Sequence, residues 1–187
     1  MLISDDPQAM AALIRQGGVV AYPTEAVFGL GCDPQQLTAV KRILQIKQRP
    51  VEKGMILLAS QWAQLVDYTM PLTAATEQQV MATWPGAVTW LLAAKPNVSS
   101  WVRGQHTTIA CRLTAHLPSR ALIDACGHAI ISTSANPAGL EPARSVAEVE
   151  QYFSDTMIDG IFLAAIGENR TPSEIRDSLN GRIIRPA

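Results

Sequence analysis

Two cations, Lys47 and Arg49, stand two residues apart immediately before Pro50. The apolar side chains between residues 37 and 46 recur with the spacing of a helix, on which residues two apart do not face each other. Because a residue that precedes proline is displaced from the α region, the sequence predicts that the helix ends near Gln48 and that the chain then becomes extended. Lys47 and Arg49 would then project to the same side, where together they could bind an anion.

A second polar row follows the apolar residues 129–131 and consists of Ser132, Ser134 and Asn136, with Pro137 directly after it. Each stretch alone has an ordinary structural explanation, because cations stabilise the C-terminal end of a helix and Ser or Asn before proline commonly forms a turn. Their occurrence together predicts a site in which this row faces the two cations across one anionic ligand.

The strand predicted for residues 107–113 alternates with period two. One face carries only apolar side chains, and the other carries Thr108, Ala110 and Arg112. A lone arginine on a strand is often a solvated edge residue, but the neighbouring hydroxyl and the fork of the guanidinium group suit recognition of a carboxylate. The residues alone leave both interpretations of Arg112 open.

At 187 residues, 48% of them hydrophobic, the chain is long enough for one α/β domain that buries roughly 70% of its unfolded surface. We expect residues 1–187 to form this single domain. No apolar run approaches the roughly 18 residues of a membrane helix, and residues 1–6 lack the basic region of a signal peptide. The sequence therefore predicts a cytoplasmic protein that does not bind a membrane.

Cys32, Cys111 and Cys126 form no CxxC pair, which suggests neither a disulfide framework nor a zinc site.

The net charge of −1 argues weakly against a nucleic-acid partner, but the cations are unevenly distributed. Five of the fifteen Lys and Arg residues fall between positions 41 and 53, against a single acid, Glu52. This local excess can attract anions. An RNA-binding module is therefore an alternative function, although no aromatic residue interrupts the cluster to stack on bases. The basic cluster 41–53 consists of Lys41, Arg42, Lys47, Arg49 and Lys53.

The other elements alternate between helices and strands. We predict a strand at 19–22, a loop at 23–31 and a strand at 129–133, and Asn180-Gly181 is a strong signal for a hairpin at 175–185. This order predicts an α/β fold with a twisted mixed sheet, helices packed against it and a C-terminal hairpin. Neither GxxxxGK[ST] nor GxGxxG occurs in the sequence, so a nucleotide would be bound without these phosphate loops.

The KxR motif Lys47-Gln48-Arg49 and the distant SxN motif Ser134-Ala135-Asn136 are accompanied by further matching segments at 22–25, 29–31, 108–112, 132–133 and 172–175. Together they resemble the YrdC/TsaC family of threonylcarbamoyl-AMP synthases over nearly the whole chain. The resemblance implies a YrdC-like fold. It also implies that L-threonine, bicarbonate and ATP, accompanied by Mg²⁺, give threonylcarbamoyl-AMP and pyrophosphate for the t6A modification of tRNA.

By this resemblance, two sets of residues line one active site. Lys47 and Arg49 would be catalytic and would bind ATP together with Ser134, Asn136 and Arg185, whereas threonine would be bound by Thr24, Thr108, Arg112 and Ser132. A reaction that develops charge on a triphosphate is catalysed by preorganised cations and donors and requires no nucleophilic residue. Whether the protein itself ligates a metal is left open.

Three positions depart from the family pattern. Leu58 stands where longer relatives have a histidine of the threonine site, Pro142 where they have a serine that contacts the nucleotide, and Glu174 where the tail motif usually has threonine. We therefore do not expect these three family contacts in this protein.

The sequence also lacks the additional C-terminal domain of the longer relatives, so we expect downstream threonylcarbamoyl-transfer proteins to be its partners, with weak tRNA or RNA binding as a further option. A carbamoyl-transfer domain of hydrogenase-maturation proteins shares this fold by resemblance, but their acylphosphatase and zinc-finger segments are missing from the sequence.

Overall fold

The computed structural model describes residues 1–153, 157–169 and 171–187. Within these residues, ten strands form one mixed sheet: β1 (Leu2–Ser4), β2 (Val20–Pro23), β3 (Phe28–Gly31), β4 (Ile56–Ala59), β5 (Val88–Ala93), β6 (Thr108–Leu113), β7 (Ile130–Ser134), β8 (Gly160–Phe162), β9 (Glu174–Asp177) and β10 (Ile183–Arg185). Their order across the sheet is β1-β8-β2-β3-β7-β4-β6-β5-β9-β10. The predicted α/β fold with a mixed sheet is confirmed.

Helices pack on both faces of this sheet: α1 (Pro7–Arg15), α2 (Leu37–Ile46), α3 (Ala74–Met81), α4 (Ser100–Arg103), α5 (Leu117–Cys126) and α6 (Val146–Tyr152). Alternate side chains of strands β2, β4 and β7 enter two different apolar clusters. The larger cluster includes Leu57 and buried side chains of α2, α3, α4 and α6. The smaller cluster packs α1 and α5 against Val20, Leu58 and Ile130, so it covers only part of its face.

The loop predicted for residues 23–31 is shorter than expected, because residues 28–31 form β3. This strand pairs antiparallel with β2, with Gly29 opposite Tyr22. Glycine is uncommon inside strands, which concealed the strand in the sequence. The structure gives the reason for one glycine: a Cβ atom at Gly31 would lie 2.8 Å from the ring of the fully buried Tyr22.

Helix α2 ends at Ile46, earlier than predicted, and the chain after it turns instead of becoming extended. Gln48 has a φ of 45°, in the left-handed region. The N–H of Gln48 donates to the carbonyl of Gln45 at 3.0 Å, and that of Arg49 donates to Leu44 at 2.9 Å. These two bonds form a Schellman motif. The predicted extended segment was therefore wrong, because a left-handed residue reverses the chain before Pro50 does.

The predicted C-terminal hairpin is confirmed. Strand β10 pairs antiparallel with β9, and Gly181 in the connection has a φ of +71°. Strand β9 in turn pairs parallel with β5, so the hairpin extends the sheet beyond β5. In the described part of the chain, no helix has both the length and the apolar character needed to cross a membrane.

Candidate active site

A cavity of about 490 Å³ opens on the face of the sheet that also carries the smaller apolar cluster. Its volume lies in the range of small-molecule sites. Eight of the nine predicted site residues line it, namely Thr24, Lys47, Arg49, Thr108, Arg112, Ser132, Ser134 and Arg185. The ninth, Asn136, does not line the cavity but contacts Lys47. One cavity therefore brings the KxR motif, the strand β6 and the C-terminal hairpin together.

Lys47 connects the KxR motif to the SxN motif. Its ammonium group donates to the carbonyl oxygens of Ser134 and Asn136, both at 2.8 Å. The side-chain oxygens of the same two residues also lie within hydrogen-bonding distance of Nζ, and the Ser134 hydroxyl donates to Asn136 Oδ1 at 2.6 Å. The predicted neighbourhood of the two motifs is confirmed, but Lys47 contacts Ser134 and Asn136 directly, without the space for a ligand between them.

Arg49 lines the same cavity as Lys47 although the chain between them turns at Gln48. Its Nε and Nη2 atoms donate to the carbonyl oxygen of Gly54 at 3.1 and 2.9 Å. These bonds hold the 3₁₀ turn Val51–Lys53 against the end of α2. The shared direction of the two cations thus comes from the Schellman turn and the Gly54 contact, and not from an extended chain.

The cations of the cavity lower the pKa values of their neighbours. Burial, with a smaller contribution from the positive charge of Arg49, lowers the pKa of Lys47 to about 8. Burial also lowers the pKa of Arg49, to which the charge of Arg185 makes a smaller contribution. The pKa of Arg185 is lowered by burial as well, with a smaller contribution from the charge of Arg112. A bound anion would offset each of these effects. The arrangement therefore suits a ligand with several negative charges.

Arg112 lies on the cavity face of β6, as the alternation predicted, and is only 8% exposed. Its Nη2 atom lies 3.1 Å from Oε2 of Glu25. This position excludes the interpretation of Arg112 as a solvated edge residue. Thr108, from the same face of the strand, lines the cavity beside it.

Thr24 and Ser132 have their hydroxyl groups already engaged. The hydroxyl of Thr24 donates to the carbonyl of Val27 at 2.7 Å. Ser132 Oγ accepts a hydrogen bond of 2.6 Å from Tyr22, whose pKa is raised by burial. Because Tyr22 stays protonated and donates, the Ser132 proton is left to point elsewhere. Both positions are compatible with the predicted threonine site, whose residue assignment stays a prediction.

Sequence reasoning missed the supporting role of Glu25 and Thr114. The hydroxyl of Thr114 donates to Glu25 Oε1 at 2.7 Å, and the backbone of Glu25 accepts from the N–H of Asn169 at 3.0 Å. Glu25 belongs to a segment that the sequence marked as a motif, but its partners lie far along the chain. No local pattern could have identified these contacts.

The three departures from the family pattern lie in different surroundings. Leu58 lies on the same face of the sheet as Arg112 but is fully buried in the smaller apolar cluster. Pro142 lines the cavity, where it has no N–H or hydroxyl to donate. Glu174 forms an ion pair with Arg176. None of them supplies the contact expected of the residue that it replaces.

The basic cluster 41–53 does not form one surface. The ammonium of Lys41 lies 4.6 Å from the centroid of the Trp101 ring, and Arg42 pairs with Asp159. Lys47, Arg49 and Lys53 line the cavity instead. The charges that suggested RNA binding are thus divided between the cavity and partners outside it.

Within residues 1–153, 157–169 and 171–187, no group of three or more His, Cys, Asp or Glu side chains could hold a metal ion. The three cysteines are buried and free. The polar side chains that line the described cavity are cations, hydroxyl groups, His106, Asn169 and the carboxylate of Glu25.

Comparison with known proteins identifies relatives along the whole chain. The Sua5/YciO/YrdC family model, described as telomere recombination, matches residues 12–187. A threonylcarbamoyl-AMP synthase of Nitrosococcus oceani is 49% identical over 175 residues, which are 94% of this chain and 94% of that protein.

Solved structures share the fold. The crystal structure of P. abyssi Sua5 complexed with L-threonine has a TM-score of 0.91 and 28% identity over 100% of this chain, which spans only 57% of the Sua5 chain. E. coli YciO has a TM-score of 0.84 over 99% of this chain and 93% of its own, at 23% identity, and this likeness concerns the fold alone. Because the family model covers most of the residues and a relative of matching length is nearly half identical, the chain belongs to the Sua5/YciO/YrdC family.

Proposed function

We propose that this protein is a threonylcarbamoyl-AMP synthase, which converts L-threonine, bicarbonate and ATP to threonylcarbamoyl-AMP and pyrophosphate for the t6A modification of tRNA. The observation that carries the proposal is the contact of Lys47 with Ser134 and Asn136, beside Arg49 and Arg185 in one cavity. A relative with this name matches the chain over 94% of both lengths. The activity is a transfer of a nucleotidyl group.

The reaction forms two bonds in sequence. The ammonium group of threonine first loses one proton, and the free amine then attacks the carbon of bicarbonate and gives a carbamate with loss of water. A carboxylate oxygen of this carbamate then attacks the α-phosphate of ATP, and the bond from the α-phosphorus to the bridging oxygen breaks to release pyrophosphate. Lys47 and Arg49 would stabilise the charge that develops on the leaving group, because fixed cations and donors need no reorganisation at that moment.

We propose that Mg²⁺ enters as part of the substrate, bound to ATP. Magnesium retains several waters and commonly binds through phosphate oxygens with only one or two carboxylates. A cavity whose described lining carries a single carboxylate and several cations fits a metal that the triphosphate brings with it.

The product is an activated anhydride, so a downstream threonylcarbamoyl-transfer protein must accept it and pass the group to tRNA. Because ATP and tRNA are found in the cytoplasm, we place the reaction there. Direct binding of tRNA to this chain is not required by the chemistry, and the divided basic cluster gives it little support.

The decisive experiment measures pyrophosphate released from ATP by the purified protein with Mg²⁺. We expect release only when threonine and bicarbonate are both present, because the carbamate is the group that attacks. Serine in place of threonine serves as a control for the choice of amino acid. Equal release without bicarbonate, or without threonine, would contradict the proposed function.

A further inference from the structure

Glu25 is the only acidic residue among the described residues that line the cavity. The other charged groups there are cations, including Lys47, Arg49, Arg112 and Arg185. A nucleotide needs cations, but threonine is a zwitterion and also presents an ammonium group. The cavity therefore offers one carboxylate for one ammonium.

The carboxylate of Glu25 is fixed in place. Its Oε1 atom accepts the hydroxyl proton of Thr114 at 2.7 Å, and its side chain is 12% exposed. The backbone is held as well, because Asn169 donates to the Glu25 carbonyl and a Cβ atom at Gly167 would lie 2.6 Å from that oxygen. Such support from a second layer of contacts is typical of a residue that must keep a defined position.

Two atoms of this ion pair lack a hydrogen-bond partner. Glu25 Oε2 has no hydrogen-bond donor and Arg112 Nε has no acceptor, although both atoms are buried. The two groups lie side by side, with Arg112 Nη2 3.1 Å from Glu25 Oε2. A buried polar atom without a partner is uncommon in folded proteins. An amino acid carries an ammonium group and a carboxylate at adjacent positions, which match in charge the carboxylate of Glu25 and the guanidinium of Arg112 that line the cavity.

We propose that Glu25 receives the α-ammonium group of threonine while Arg112 receives its carboxylate, so that the pair selects a zwitterion over a carboxylate that has no amine. This inference rests on the proposed function and names the residue that recognises the amine. Glu25 also neutralises Arg112, which weakens binding of simple anions to the threonine side of the cavity. Phosphate groups remain directed to Lys47 and Arg49 at the other side.

The test compares L-threonine with (R)-3-hydroxybutyrate, which keeps the carboxylate and the hydroxyl but has no amino group. Calorimetry in the presence of Mg·ATP gives both affinities for the wild type, Glu25→Gln and Glu150→Gln. Glu150 is exposed on α6, so its variant is a matched control. We expect the wild type and the control to prefer threonine by about tenfold to a hundredfold, as a charged hydrogen bond gives. Glu25→Gln should lose most of this preference and bind the hydroxy acid at least as well as the wild type does.

The outcomes separate the inference from the function on which it rests. A wild type that binds both compounds equally, or a folded Glu25→Gln that keeps the full preference, overturns the role of Glu25 alone. A wild type that binds neither compound with Mg·ATP overturns the proposed function and the inference with it. The comparison within the wild type does not depend on the folding of any variant.

Discussion

The Nζ atom of Lys47 lies 2.8 Å from the carbonyl oxygen of Asn136, although 89 residues separate the two along the chain. This contact joins the end of α2 to the turn after β7. Lys47 therefore has two roles in the cavity, because it supplies a cation and fixes the turn that carries Asn136. Substitutions at Lys47 should separate these roles.

The first prediction concerns turnover. Lys47→Ala should lower pyrophosphate release by about a hundredfold to a thousandfold, the scale for removal of one preorganised donor. Lys47→Arg should not restore it, because a planar guanidinium cannot replace a compact ammonium among these oxygens. Lys41→Ala removes the same charge from a position stacked on Trp101 and should keep nearly full activity. Near-normal turnover of Lys47→Ala would show that the cation is not part of catalysis.

A second prediction separates the two substrates. Arg112→Ala should weaken threonine binding by about tenfold to a hundredfold through the loss of a charged hydrogen bond, while ATP affinity stays nearly unchanged. Calorimetry with each ligand measures both effects. Arg182→Ala, at an exposed position in the hairpin connection, is the matched control. Equal losses of affinity for threonine and ATP in Arg112→Ala would refute the assignment.

The sequence predicted those features whose signal is local. Period-two alternation placed Thr108 and Arg112 on one face of β6, and Asn180-Gly181 identified the terminal hairpin, because the spacing of side chains and the chemistry of a turn are properties of a few adjacent residues. Strand β3 was missed because half of it is glycine, and at Gly31 the ring of Tyr22 on the neighbouring strand leaves no room for a Cβ atom.

The site was predicted less completely than the fold for a related reason. Lys47 and Arg49 line one cavity, but the geometry expected between them was wrong, because Gln48 adopts a left-handed conformation that glutamine rarely takes. The pairing of Glu25 with Arg112 joins residues from β6 and from the loop after β2. Only the register of the sheet brings these two residues together, so no local sequence pattern indicates that they pair.

A third prediction uses this left-handed residue. Gln48→Gly should raise the free energy of unfolding by about 0.5–1 kcal/mol, because glycine removes the strain of a side chain at positive φ but loses more conformational freedom on folding. Gln45→Gly makes the same substitution inside α2 and should lower it by about 1 kcal/mol. Denaturant unfolding gives both values. Changes of the same sign in the two variants would contradict the role of Gln48 in the Schellman motif.

A fourth prediction concerns RNA. Because the basic cluster 41–53 is divided between the cavity and outside partners, any tRNA binding should be weak, insensitive to sequence and steeply reduced by salt. Saturating Mg·ATP should also compete with it, since three of the five cations line the cavity. Titration of labelled tRNA at several salt concentrations measures both effects. Tight binding that is specific for one tRNA at physiological salt would restore the RNA-binding alternative.

The last prediction is a pH dependence that arises from Lys47. Burial lowers its pKa to about 8, so in the free protein the ammonium is charged below this pH and neutral above it. ATP affinity should therefore fall as the pH rises through about 8, by at most about tenfold per pH unit for the loss of one charge.

The bound triphosphate favours the charged form and raises the pKa of Lys47 again, so turnover at saturating ATP should persist to higher pH than binding does. Calorimetric titration of ATP between about pH 7 and about pH 9.5 measures the decline. In Lys47→Arg the guanidinium stays charged over this range, so its ATP affinity, although lower, should not fall with pH in the same way. A constant affinity in the wild type, or an equal decline in Lys47→Arg, would mean that another group controls the binding of the nucleotide.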